Sequence, residues 1–144
     1  KRYILLFPFC SPHLIIKKWP YFNDLTKLIR DEFGDKYKVV TAPGPSEIND
    51  AKQLKALPLL DNGKALDIFQ LSSLIKASSF VIANDTGPAH IAAHIGAKGL
   101  TLFGKHTTAY KVNIERENFK AIQVNDLNNL SAEKVFERLS NSLS

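Results

Sequence analysis

Asn84-Asp85-Thr86-Gly87-Pro88-Ala89-His90 holds the densest set of side chains able to do chemistry; it leaves an apolar run and enters a helical pattern. With Pro88 at the first helical position, the amides of Ala89, His90 and Ile91 lack intrahelical acceptors and offer a place for an anion. Thr86 adds a hydroxyl, and Gly87 lets a ligand come close to the backbone. Asp85 is suited to accept hydrogen bonds from sugar hydroxyls. The same residues read equally well as a tight strand-to-helix turn in which Asp85 or Thr86 serves only as a cap. His90 and His94 share a helical face at metal-pair spacing, but Ile91 stands where HExxH needs glutamate, so no metal is expected. A first-turn histidine beside phosphate is the better reading of His90, and His94 is read as a packed or partly exposed bystander.

Two other places carry weaker signals. Lys17 and Lys18 precede Trp19-Pro20; two lysines before a helix reach a diphosphate as mobile charges, or simply form a solvated basic loop. Glu47, closing Gly44-Pro45-Ser46-Glu47, is placed either to hold the two hydroxyls of a ribose or to complement a helix N-terminus. The chain has no Gly-x-Gly-x-x-Gly, no P-loop and no Gly-x-Ser-x-Gly. Ordinary dehydrogenases, P-loop hydrolases and enzymes with a nucleophile elbow are thereby disfavoured.

The elements that must position these residues alternate between strand and helix. Tyr3 to Phe7, Tyr37 to Thr41, Phe80 to Ala83, Leu100 to Phe103 and Phe119 to Val124 are short continuous apolar or apolar-rich runs, read as strands, with a further short one at Leu57 to Leu60. Trp19-Pro20 is expected to open a helix whose Phe22, Leu25, Leu28, Ile29 and Phe33 share one face and which stops at Gly34. A polar helix is expected from about Glu47 to Ala56. Asp67 and Gln70 fit a capping box for a helix bearing Ile68, Leu71, Leu74 and Ile75. A small-residue helix runs from Pro88 to Ala97, and Ser131 caps a last helix carrying Val135, Phe136 and Leu139. This alternation predicts an α/β fold: a Rossmann-like, doubly wound parallel sheet, with ligands beyond the carboxyl ends of its strands. The loops at 8–20, 42–47, 84–90 and 104–112 are therefore the ones that matter.

Composition narrows the class further. The 144 residues fit one domain, and 44% apolar with 23% charged residues is a globular balance. Nineteen basic against fourteen acidic side chains give a net charge of +5, which favours anionic partners. No basic stripe interleaved with aromatics points to nucleic acid. The single cysteine, Cys10, excludes an internal disulfide or a multi-cysteine zinc site. No apolar run reaches the roughly 20 residues of a membrane span. Methionine is absent, even at position 1, so the chain is expected to be a piece of a longer protein.

Taken together, Lys17-x-Trp-Pro20, Gly44-Pro-Ser-Glu47, Leu71-Ser-Ser-Leu-Ile75 and Asn84-Asp-Thr-Gly-Pro-Ala-His90, continued through Ala92, Ala93 and Gly96 to Leu102-Phe-Gly104, resemble the heptosyltransferase family. That family is glycosyltransferase family 9, with a GT-B fold, and the resemblance is to its C-terminal, nucleotide-sugar-binding half. The resemblance implies that residues 1–144 are a donor-binding domain whose N-terminal acceptor domain lies outside this chain. It implies that Lys17 neutralises a donor diphosphate, Glu47 holds the ribose, and Asp85 holds the donor sugar. Thr86 and Gly87 would meet the diphosphate, with His90 in support. It implies an inverting glycosyltransferase that moves heptose from ADP-heptose to the lipopolysaccharide inner core, cytoplasmic, with peripheral contact to the acidic inner membrane. Its catalytic base is expected in the other domain, with no metal and no cofactor, so the isolated chain is expected to be inactive. Two departures stand out. Pro8-Phe-Cys-Ser-Pro-His13 lacks the family's glycine after the first strand, and Lys105-His-Thr-Thr108 replaces a proline-bearing loop. The competing readings are a stand-alone nucleotide-sugar or phosphate-binding module and a related GT-B enzyme such as a nucleotide-sugar epimerase.

Overall fold

Six parallel strands form one sheet in the order β3-β2-β1-β4-β5-β6. They are β1 (Tyr3–Phe7), β2 (Lys38–Thr41), β3 (Leu57–Pro58), β4 (Phe80–Asn84), β5 (Gly99–Phe103) and β6 (Phe119–Gln123). Among the described residues, five α-helices connect or follow them: α1 (Phe22–Phe33), α2 (Ile48–Ala51), α3 (Ile68–Ala77), α4 (Gly87–Ile95) and α5 (Ala132–Leu143). The computed structural model describes residues 2–9, 18–105 and 114–143. Lys17 and His106 to Thr108 lie outside them, as does Cys10.

Side chains on a strand alternate between faces, and here each face meets its own helical layer. Ile4, Leu6, Val39, Phe80, Ile82, Leu100 and Leu102 pack with Phe22, Leu25 and Ile29 of α1 and Val135 and Leu139 of α5. On the opposite face Leu5, Phe7, Val40, Val81, Ala83 and Phe103 meet Ile75 of α3 and Ala89, Ala92 and Ala93 of α4. Two-sided burial is why β1 and the Phe80 to Ala83 stretch of β4 read as unbroken apolar runs, and the predicted doubly wound sheet is the fold observed. No helix among the described residues is long and apolar enough to cross a membrane.

Several local expectations hold. Asp67 accepts from the Gln70 amide at 2.8 Å while Gln70 returns a bond to the Asp67 amide at 2.9 Å, completing the capping box. Ser131 Oγ accepts from the Lys134 amide at 3.2 Å. Gly96 closes α4 at φ 86°, a left-handed conformation that glycine adopts without a Cβ clash.

Three local expectations are corrected. Trp19-Pro20 does not open α1; that helix begins at Phe22, because tertiary hydrogen bonds hold Trp19 in the preceding turn. The polar helix expected from Glu47 to Ala56 shrinks to the four residues of α2; only Ala51 and Ala56 are buried along it, too little apolar surface to sustain a longer one. Pro88 stands second in α4, behind Gly87, so the helix starts one residue earlier than the proline suggested.

Packing between β4, β5 and β6 depends on the absence of one side chain. A Cβ on Gly99 would lie 2.5 Å from the Val81 carbonyl oxygen and 2.7 Å from the Phe119 ring. Gly99→Ala is therefore expected to destabilise the fold by about 1–3 kcal/mol through overpacking. The check is urea unfolding, with a lower midpoint at unchanged m-value.

Candidate active site

The sheet order reverses at β1 and β4: one half of the chain builds outward from β1 through β2 to β3, the other from β4 to β6. Above such a reversal the connections diverge to opposite faces and leave a crevice at the carboxyl ends of the strands. A hollow of about 210 Å³ occupies that place, lined by Phe7 and Phe9, Ala42 to Gly44, Glu47, Leu66, Leu71, Thr86 and Pro88. Its walls are apolar apart from Glu47 and Thr86. Of the residues singled out at the second and fourth strand ends, Glu47 and Thr86 line this hollow, whereas Asp85, Gly87 and His90 are not among its lining residues.

Glu47 enters the hollow from the loop after β2. Its Oε1 accepts from the Gly44 amide at 2.8 Å, and its own amide donates to the Gly44 carbonyl at 3.0 Å. This closed turn fixes the carboxylate in place and leaves Oε2 without a partner among the described residues. A Cβ on Gly44 would approach Oε1 to 3.2 Å, so the turn leaves little room for a larger residue.

Asp85 and Thr86 follow β4 directly. Asp85 is buried, and its Oδ1 lies 3.8 Å from Nε2 of His90, an ion-pair distance when the imidazole is protonated. Thr86 occupies the N-cap position of α4, yet its hydroxyl donates back to the Asn84 carbonyl at 3.3 Å and caps no helix amide. The Thr86 carbonyl takes the Ala89 amide at 3.1 Å and the His90 amide at 3.4 Å. Those two amides, expected to be free, are therefore committed. Proline has no N–H, so the Gly87 amide is the donor that the first turn leaves without a partner among the described residues. Gly87 is exposed, and a Cβ built on it would meet no atom within 4 Å. The space that a side chain at Gly87 would occupy is open.

His94 is exposed one turn beyond His90. Among the described residues no three His, Cys, Asp or Glu side chains converge as metal ligands would. Lys18 is exposed and borders two other hollows, one with Lys105 and Asp126, the other beside Trp19, Asp50 and Gln53.

Sequence reasoning placed Asn84 at the head of its motif but gave it no role. Its carboxamide is fully buried at the end of β4, accepting from the Trp19 amide at 3.0 Å and donating to the Pro8 carbonyl at 2.8 Å. The available signal was a polar residue set directly against the apolar run Phe80 to Ala83. Trp19 is further held by its indole N–H, which donates to the Leu130 carbonyl at 2.7 Å.

Comparison with known proteins gives this arrangement a context. No curated protein matches the chain in sequence. Heptosyltransferase WaaC of E. coli, solved with ADP, superposes with a TM-score of 0.82 at 19% identity, over 98% of this chain and 44% of WaaC. ADP-heptose lps heptosyltransferase II of E. coli gives 0.77 at 22% identity, over 99% and 46%. A UDP-GlcNAc 2-epimerase of Methanocaldococcus jannaschii is more distant, at 0.62 and 14% identity, over 99% and 39%. The chain thus spans less than half the length of each of these proteins, and their likeness to it is one of fold. The sequence profile of glycosyltransferase family 9 (heptosyltransferase) matches residues 1–139, nearly the whole chain, and the chain therefore belongs to that family.

Proposed function

We propose that this chain is the donor-binding half of an inverting heptosyltransferase, taking ADP-heptose as donor and serving an acceptor in the lipopolysaccharide inner core. The observation that carries the reading is the convergence, at the sheet reversal, of an apolar hollow, a fixed Glu47 carboxylate and the start of α4, whose Thr86 and Pro88 line the hollow on either side of Gly87. WaaC is solved with ADP, and a nucleoside diphosphate suits the features of this hollow. The apolar walls take the nucleoside, Oε2 of Glu47 accepts from the ribose hydroxyls, and the Gly87 amide meets the diphosphate together with the Thr86 hydroxyl, which turns from the Asn84 carbonyl to donate to it. Asp85, braced by His90, accepts from the sugar, and Lys17 adds positive charge to the leaving group.

In the reaction proposed, an acceptor hydroxyl oxygen attacks the anomeric carbon from the side opposite the diphosphate. The bond from that carbon to the diphosphate oxygen breaks, and ADP departs with the bonding pair. Negative charge grows on the departing diphosphate, where a preorganised amide and a lysine stabilise it. The hydroxyl proton passes to a base supplied from outside this chain, so the chain alone binds donor and transfers little. The parent acts at the cytoplasmic face of the inner membrane, and the basic net charge of +5 favours contact with acidic lipid headgroups.

Calorimetric titration of the purified chain with ADP, UDP and GDP tests the reading. ADP is expected to bind selectively, and Glu47→Ala and Lys17→Ala are each expected to weaken it by about tenfold or more, as loss of a charge-assisted contact implies. Absence of binding to all three nucleotides would overturn the residue roles, and release of free sugar from the donor without acceptor would favour an epimerase. A second prediction concerns Gly87. Because the space before it is open, Gly87→Val is expected to fold with an unchanged melting temperature yet lose ADP affinity by more than about tenfold through steric exclusion. Equal affinity in the two proteins would show that the ligand does not approach that amide.

A further inference from the structure

The geometry points to Asn84 as a positioning residue: its buried carboxamide holds both ends of the β1–α1 connection against the end of β4, setting the width of the crevice that takes the diphosphate. This rests on the nucleotide-donor reading above. The ladder between β1 and β4 ends with Phe7 opposite Ala83. One residue further on, the backbones diverge, and the Asn84 side chain bridges the gap they leave. Its Oδ1 accepts from Trp19 at the α1 side of the connection, and its Nδ2 donates to Pro8 at the β1 side. Asp85, Thr86 and Gly87 follow Asn84 without an intervening residue. Pro8 lies between Phe7 and Phe9, which line the hollow, so any shift of Asn84 against Pro8 moves the α4 terminus relative to that wall.

The two bonds also specify the residue type. The site needs one donor and one acceptor on the same short planar group, fully shielded from water. An ionised aspartate has the shape but only acceptors, and would set an oxygen against the Pro8 carbonyl. Serine is neutral but too short to span both partners. Buried groups left unpaired in this way are costly, and the crevice walls relax until water or a new partner reaches them.

The test compares wild type with Asn84→Asp by calorimetry, using ADP and AMP as probes, alongside thermal unfolding of each protein. The proposal expects Asn84→Asp to lose about tenfold or more in ADP affinity and distinctly less in AMP affinity, because AMP lacks the second phosphate that must span the crevice. A purely structural role predicts a lower melting temperature with both nucleotides weakened equally, or neither. Either pattern overturns the proposal. Should Asn84→Asp not fold, Asn84→Ser is read against the same two outcomes. Wild type failing to bind ADP would instead overturn the donor reading, and this inference with it.

Discussion

The reversal of strand order at β1 and β4 is the constraint on which the rest of this molecule depends. Both neighbours of β1 run parallel to it, so neither can be reached by a tight turn, and each needs a crossover through a helical layer. Right-handed crossovers then place α1 on one face of the sheet, where α5 joins it after β6, and α3 and α4 on the other. A crevice at the carboxyl end is the geometric residue of that division. The hydrophobic cores hold the two layers apart, and the loops that cross the crevice carry the polar groups.

Burial of those groups is managed by pairing. Asn84 would be expensive to bury alone, and so would the main-chain groups at Trp19 and Pro8 that it meets. Together they satisfy one another and tie a strand end to two loop ends distant in sequence. The α4 side is managed by size instead. Ala89, Ala92 and Ala93 are buried against the sheet, so the helix axis comes close and its first turn reaches the end of β4. A bulkier residue at any of these positions would lift the helix and carry Gly87 away from the hollow.

Much of this was legible in the chain. Two-sided burial writes a strand as a continuous apolar run, and Tyr3 to Phe7 and Phe80 to Ala83 are strands for that reason. The Asp67 and Gln70 capping box is a local device with a local signature, and it forms as read. One failure was decided over distance and others locally. Trp19-Pro20 has the local look of a helix start, but the Trp19 amide is taken by Asn84, sixty-five positions away. Thr86 has the look of a capping side chain, but its hydroxyl turns back to Asn84. The stretch after Glu47 lacked any apolar period, and its short helix reflects that. Of the site residues read from the sequence, Glu47 and Thr86 line one hollow, Asp85, Gly87 and His90 follow β4 without lining it, and Lys17 lies outside the described residues.

The chemical character of the hollow bears on what it can do alone. Of the two carboxylates in the proposed roles, Glu47 gives one oxygen to the Gly44 amide, and Asp85 is buried, 3.8 Å from His90. Each is fixed by a partner within the fold, as suits a group that orients a ligand's hydroxyls. A general base for an incoming alcohol needs instead to meet a second substrate from the open side. What the crevice offers on that side is the Gly87 amide, a donor suited to an anion. On the proposed reading, then, this half of the enzyme grips the group that leaves, while the removal of the acceptor's proton falls to residues beyond this chain. The division has a physical logic. Stabilising a departing diphosphate needs rigid, preorganised donors, and a parallel sheet with a helix set close upon it is a rigid place to mount them.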